Sequence, residues 1–372
     1  MANTIELKQQ IAQGEYDAAF TKLYGAAAVQ EQRKRYTDLI NEFEKAYGTE
    51  RTVRLYSAPG RTEIGGNHTD HNNGKVLAAS INLDAIAIAA KRDDMKINEK
   101  SEGHGLNEVD ISTLSPDEAE YGRSSSMIKG VAAGLKEKGY EIGGFDACTT
   151  SDVMGGSGLS SSAAFEVLIA TVINHLYNDG KIDAVTVAKA AQFSENVYFG
   201  KPSGLLDQMA SSVGTFVTID FKDTANPVIK KVDFDFAKSG YSLCIVDTHG
   251  NHSDLTDDYA AVRGEMEAVA KAMGKNVLRE VEYEEFFQSL DVLKEKVNDR
   301  ALLRAFHFFG ENERVDKAVS SLENNDFDSF KQAITESGYS SFLYNQNVYS
   351  PKNPTEQKLS LVLCISEKLL NG

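Results

Sequence analysis

Apolar positions through the first 47 residues recur at helical spacing: Ile5, Ile11, then Phe20, Leu23 and Tyr24, and later Leu39, Ile40 and Phe43. This predicts two or three amphipathic helices ahead of any strand, an added helical layer. At "TVRLYSAPG" the pattern changes to alternation, with Val53 and Leu55 on one side, and a turn at Pro59-Gly60 is expected to end the strand. "KVLAASINLDAIAIAAKRDD" reads as two further strand stretches, 76–79 and 85–89, the second nearly all apolar and so central in a sheet. A helix is predicted over 127–138, and "FDACTTSDV" alternates as a strand does. Another helix begins at Ser160, and a second, over 185–199, stops at Gly200 with Pro202 beyond. Strands follow at "TFVTIDF" and "YSLCIVDTH", then helices from Asp258 onward. Strands and helices mix without βαβ rhythm, which favours an α+β fold over a doubly wound sheet.

A chain of 372 residues exceeds what one core usually serves, so two domains are expected. With no repeat or low-complexity linker, the division reads as a helical extension over 1–47, an N-terminal domain over 48–215 and a C-terminal domain over 216–372. The formal net charge of −16 argues against a nucleic-acid or anionic-membrane partner. It leaves a phosphorylated ligand open, because backbone N–H groups bind phosphate without a lysine cluster. Cys148, Cys244 and Cys364 sit among apolar residues without metal-ligand spacing and read as reduced core thiols. No apolar run is long enough to span a bilayer and the N-terminus has no secretory pattern, so a cytoplasmic protein is expected.

The most informative stretch is "DVMGGSGLSSSAAFEVLIATVINHLY". A helix opening near Ser160 presents unpaired N–H groups and partial positive charge, which suits an anion. Gly155, Gly156 and Gly158 allow the backbone to approach phosphates, while Ser160, Ser161 and Ser162 can cap the helix, donate to phosphate oxygens or ligate a metal. None of the Gly-Lys pairs fits a Walker loop, and Gly156, Gly158 and Ser161 give only G-x-G-x-x-S, a weak dinucleotide alternative.

Two further segments carry chemistry. "APGRTEIGGNHTDHNNG" gathers Arg61, Glu63, Asn67, His68, Asp70 and His71, a loop rich in donors and acceptors of the kind that recognises sugar hydroxyls. As a plain alternative it is a solvated turn, the preferred reading of Asn72-Asn73-Gly74 alone. "SENVYFGKPSGLLDQMASS" places Glu195 on a helix and Asp207 past the Gly200-Pro202 break, flanked by Leu205, Leu206 and Met209. Taken alone, Asp207 reads as structural; partial desolvation also suits a base.

In this order and spacing the three segments resemble the GHMP family of small-molecule kinases and, within it, the galactokinases. "THGNHSDLTDDYAAVRGEME" is similar to a galactokinase stretch carrying a substrate-side tyrosine. The resemblance implies an N-terminal domain of the ribosomal-S5 type, a ferredoxin-like C-terminal domain, and an active site between them. It also implies ATP-dependent phosphorylation of galactose at its anomeric oxygen. Carried over position by position, Asp207 is the base or orienting carboxylate and Arg61 its stabiliser. Gly155, Gly156, Ser157, Gly158, Leu159, Ser160 and Ser161 wrap the ATP phosphates, and Ser162 and Glu195 hold Mg²⁺. Asn67, His68, Asp70, Gly204 and Tyr259 touch the sugar. The remaining histidines, among them His307, are left as structural or surface groups.

Two departures stand out. Asn67 replaces a glutamate that galactokinases usually place there, which keeps alive a relative acting on an N-acetylhexosamine, arabinose or a uronic acid. The chain ends at "ISEKLLNG", about where the family has a third glycine-rich motif, so an incomplete C-terminal domain is expected, and a non-catalytic sugar and nucleotide sensor is a second alternative.

Overall fold

The computed structural model describes residues 2–155, 158–201, 203–248 and 256–370. The chain divides into two compact units, one formed by Met1–Thr62 and Ala79–Gly214, the other by Glu63–Ala78 and Thr215–Gly372.

The first unit is built on a mixed sheet. Its strands are β1 (Ala2–Asn3), β2 (Thr52–Gly65), β3 (Lys75–Lys91), β4 (Lys96–Ser101), β5 (Leu106–Asp110) and β6 (Phe145–Ser151), in the order β1-β2-β3-β6-β4-β5. Strands β3 and β6 are antiparallel, with Ala85 opposite Ser151 and Lys91 opposite Phe145, whereas β4 and β6 run parallel. The predicted N-terminal helices form as α1 (Thr4–Gln13), α2 (Asp17–Tyr24) and α3 (Val29–Tyr47). Asn3 and Glu6 close a capping box on α1, and Gly14, left-handed at φ 84°, ends it. Helices of 10 and 8 residues are too short to persist alone, so packing holds this layer.

That packing follows the pleat of β3. Ile86, Ile88 and Ala90 point to the helical layer, against Leu7, Ile11, Phe20, Tyr36, Ile40 and Phe43. Ala85, Ala87 and Ala89 point to the opposite face, where α4 (Ser124–Glu137), α5 (Ser161–Tyr177) and α6 (Ala184–Phe193) supply Ile128, Val131, Leu168 and Ala190. A strand buried on both faces must be apolar at every position, which explains "AIAIAA". Among the polar groups buried in this interior, Asp84 ties the helical layer to the sheet. Asp84 of β3 accepts from Tyr24 Oη at 2.5 Å, Arg35 Nη1 at 2.7 Å and the Ser57 hydroxyl, while its backbone carbonyl takes Arg35 Nη2 at 2.9 Å.

The second unit pairs β7 (Phe216–Asp220) with β3 and, antiparallel, with β8 (Val228–Val232). Its helices are α8 (Thr256–Ala272), α9 (Tyr283–Gln288), α10 (Leu290–Leu293), α11 (Asp299–Glu323), α12 (Phe327–Ser340) and α13 (Lys358–Leu370). Val262, Met266, Val269, Phe286, Leu302 and Phe308 form its core. The remaining helix, α7 (Leu206–Val213), belongs to the first unit.

Four expectations change. Strand β2 runs through Pro59-Gly60 instead of turning there. A Cβ on Gly60 would lie 2.9 Å from the Leu159 carbonyl, so this glycine serves a close approach to the glycine-serine loop. The stretches 76–79 and 85–89 belong to one strand, β3. Of the strand expected at "YSLCIVDTH", His249 lies outside the described residues and 241–248 form no strand: their alternation suits a pleated half-buried surface, but no described strand pairs with them, and Tyr241, Leu243, Ile245 and Val246 are exposed. Of the three cysteines only Cys148 is a core thiol; Cys244 and Cys364 are exposed. No described helix is long and apolar enough to cross a membrane.

Candidate active site

In the first unit, three separate segments converge on Asp207. The carboxylate sits in the first turn of α7, where the helix dipole favours negative charge. Arg61, on the part of β2 beyond Pro59, donates through Nε to Asp207 Oδ1 at 2.7 Å and through Nη1 to the Gly158 carbonyl at 2.6 Å. Its backbone N–H donates to the Leu159 carbonyl at 3.1 Å, so strand and loop are laced together on both sides of the guanidinium. The other Asp207 oxygen accepts from the Ser160 hydroxyl.

Ser160 resolves an ambiguity in the sequence. It is the residue before α5 and takes a left-handed φ of 60°, uncommon for a residue with a side chain and frequent at functional turns. In that conformation its hydroxyl turns to Asp207 and caps nothing in α5. Of the roles open to Ser160, capping α5 is therefore not the one it takes, and the positive end of α5 faces the loop without a side-chain acceptor from Ser160. Gly155 and Gly158 are exposed and Leu159 is buried beneath them, whereas Gly156 and Ser157 lie outside the described residues. Ser161 is the first residue of α5, and Gly204 is an exposed residue just ahead of α7.

Glu195 stands in a π-turn, Ser194–Tyr198, that continues α6. The wider turn turns Glu195 inward, where it is 2% exposed. A Cβ on Gly130 would come within 2.7 Å of the Ser194 hydroxyl oxygen, so α4 can lie against this turn only because residue 130 has no side chain. Glu195 Oε1 accepts from Ser162 Oγ at 3.1 Å and Lys201 Nζ at 2.9 Å, and Oε2 accepts from Gln208 Nε2 at 2.7 Å. Two hard oxygens at this spacing, with an ammonium already drawn to one of them, fit Mg²⁺, which keeps most of its shell for water and substrate phosphate. No described group of three His, Cys, Asp or Glu side chains could hold a metal.

Sequence reading missed Gln208, which bridges Glu195 and, at 3.3 Å, Glu166 Oε2. Glu166 is fully buried one turn along α5 from Ser162, and burial, then the Glu195 charge, push it up to about 9. The signal was present: an acid inside the apolar run "AAFEVLIA".

The second unit holds the remaining candidates. Tyr259, half-exposed, sets its ring 5.0 Å from that of His68 and 5.8 Å from that of His71. His71 Nε2 lies 3.7 Å from Asp70 Oδ1, and Asn67 Nδ2 donates to Ser341 Oγ at 2.8 Å. His68 is also left-handed, at φ 60°. Burial, helped by neighbouring His71, lowers His68 to about 4, so it is neutral at physiological pH.

Below about 6.5 the unfolded chain takes up a proton that folded His68 refuses until about pH 4, so stability is full above that range and lost as pH falls through it. Asn tolerates the left-handed conformation, so His68→Asn should show a shallower fall in Tm between pH 6.5 and 4 than the parent. Parallel curves for the two proteins would refute this.

The comparisons with known proteins come from sequence and structure. The galactokinase galactose-binding signature matches residues 41–91 and the GHMP kinases N-terminal domain matches residues 126–215. The galactokinase of Streptomyces coelicolor is 34% identical over 286 residues, covering 76% of this chain and 72% of that one. That of Clostridium tetani is 33% identical over 311 residues, covering 82% and 76%. Among solved structures, Lactococcus lactis galactokinase complexed with galactose superposes with a TM-score of 0.70 at 26% identity, covering 85% of this chain and 81% of that one. A mevalonate kinase shares the fold, with a TM-score of 0.55 at 14% identity, each chain covered to 85%.

Proposed function

Because this chain belongs to the galactokinase family, and is thereby a sugar kinase using ATP, we propose that it transfers the γ-phosphoryl group to the anomeric hydroxyl of galactose. The observation that carries the site assignment is the meeting of Arg61, Ser160 and Asp207, which joins a strand, the glycine-serine loop and α7 around one carboxylate.

Each residue then has work suited to a loose, charge-spreading transition state that needs alignment more than covalent help. The glycine-serine loop and the start of α5 receive the triphosphate, whose charge the helix dipole favours. Asp207 accepts the hydrogen of the acceptor hydroxyl and fixes its direction. Arg61 holds Asp207 and stabilises charge on the phosphoryl group in flight. Ser162 and Glu195 would hold Mg²⁺, which supplies charge neutralisation on the phosphates. Asn67, His68, Asp70, Gly204 and Tyr259 recognise the sugar.

The test is ADP release with Mg²⁺, ATP and a panel containing galactose, arabinose, N-acetylgalactosamine and galacturonic acid. Galactose should be turned over fastest. Faster turnover of another sugar would reassign the acceptor, and binding of galactose without ADP would favour a sensor. Asn67 is why the panel is needed: its amide is partly committed to Ser341 and carries no charge. For the metal, Ser162→Ala should raise the Mg²⁺ concentration giving half-maximal rate roughly tenfold. An unchanged magnesium titration would remove Ser162 from that role.

A further inference from the structure

The loop over residues 66–74 carries Asn67, His68 and Asp70 but contains no regular element longer than a single 3₁₀ turn, Asp70–Asn72. Thr69 ties Gly66 to Gly74 within the loop, but the Gly66 N–H and the Asn67 carbonyl are held from outside it. The outside partner is α11, in the same unit. His307 and Glu311 lie one turn apart on that helix, both fully buried.

Glu311 Oε1 accepts from the Gly66 backbone N–H at 3.0 Å and from Ser337 Oγ at 2.5 Å, while Arg314 Nε holds Oε2 at 2.8 Å. His307 Nε2 is 2.8 Å from the Asn67 carbonyl. A carbonyl only accepts, so Nε2 carries the proton and Nδ1 accepts from Ser340 Oγ, 2.8 Å away. Ser340 in turn accepts from Arg314 Nη2 at 2.7 Å. Every donor and acceptor in this chain, from Arg314 through Ser340 and His307 to Asn67, then has its partner with one tautomer. Asn312, next along the helix, takes the Lys75 N–H at the far end of the loop at 2.7 Å.

We propose that His307 and Glu311 are positioning residues of the acceptor-binding loop: they grip consecutive backbone groups, the Gly66 N–H and the Asn67 carbonyl, and so set where Asn67 and His68 stand. The acceptor part rests on the sugar-kinase reading above; the grip itself does not. The geometry distinguishes this from ordinary packing, because both contacts are made to loop backbone and neither to loop side chains. A loop held this way keeps its shape when its own side chains vary, which fits a family member with Asn67 in place of a charged residue.

The experiment compares His307→Leu, which removes the donor, with His307→Gln, whose amide nitrogen reaches about where Nε2 does. Ser340→Ala, which breaks the relay without touching the core ring, is the milder variant should His307→Leu fail to fold. Two readouts are taken on the full chain. Backbone hydrogen exchange over residues 66–74 should accelerate in His307→Leu and Ser340→Ala and return towards the parent rate in His307→Gln. The KM for the sugar the parent uses best should rise about fivefold to tenfold in the first two, the effect of roughly one hydrogen bond. The KM for ATP should stay within a factor of two. Unchanged exchange over 66–74, equal rises in both KM values, or failure of His307→Gln to restore either readout would overturn the assignment. The exchange readout uses no sugar, so a wrong acceptor shows in the parent's panel and a wrong positioning role shows in the variants.

Discussion

Replacing Asp207 with alanine is expected to lower kcat by roughly 10²–10⁴-fold, the range for removing a positioned proton acceptor, while ATP binding stays close to that of the parent. The separation of effects follows from the contacts. Arg61 loses its bond to the carboxylate but keeps the one to the Gly158 carbonyl, and its own N–H still holds Leu159, so strand and loop remain joined. Ser160 loses an acceptor without losing its place ahead of α5. Asp207→Asn keeps the shape and removes the charge, so it should fall on the same side as alanine if proton acceptance matters and near the parent if orientation alone does. Turnover by ADP release and ATP affinity by calorimetry separate the two quantities. A fully active alanine variant would strip Asp207 of its role, and a variant that no longer binds ATP would show that the carboxylate mainly holds the loop.

The second large effect is on stability. Asp84→Ala should cost about 3–5 kcal/mol, the range for removing one partner of a buried ion pair. Asp84 is 2% exposed and its two oxygens serve Tyr24, Ser57 and Arg35, which come from α2, β2 and α3. Without it, Arg35 keeps a bond to the residue 84 carbonyl and a pairing with Asp152 at 3.0 Å, but two hydroxyls lose a charged acceptor in the interior. Urea unfolding of Asp84→Ala, Arg35→Met and the double variant would measure this. The double variant should be less destabilised than the two single losses added together, because its remaining charge is no longer stranded. Simple additivity would mean that the aspartate and arginine act independently.

Periodicity made most of the fold legible. The two-sided burial of β3 is written in "AIAIAA", and the helical layer in the spacing of Leu39, Ile40 and Phe43, because a buried stripe forces a repeat on the chain. What stayed hidden depends on neighbours distant in sequence. Pro59-Gly60 has the composition of a turn, and only the nearness of Leu159 makes it strand. Ser160 has the composition of a helix cap, and only Asp207 explains why its hydroxyl goes elsewhere. The π-turn at Glu195 follows ordinary helix formers, and α4 lying against it through Gly130 has no local signature. In the site, residue type alone leaves Asp207 a structural acid, and the roles of Arg61, Ser160 and Asp207 come from the resemblance of their segments; the structure adds that they touch. Gln208 carries no signal in the sequence and His307 reads there as a structural or surface group, because an amide and a buried imidazole look the same in sequence whether they brace a site or fill a core.

Strands β2 and β3 both cross from one unit's residues into the other's, so the stretch Glu63–Ala78 is folded with partners that follow it by well over a hundred positions. The two units are consequently not separable by a single scission. A gene fragment starting at Thr215 would leave α11 without the backbone it grips, and its complement would carry the orphaned loop as an unsupported excursion. During synthesis the same loop cannot meet its α11 partners until that helix has left the ribosome, so its backbone pairing is completed only after every strand of the first unit has been made.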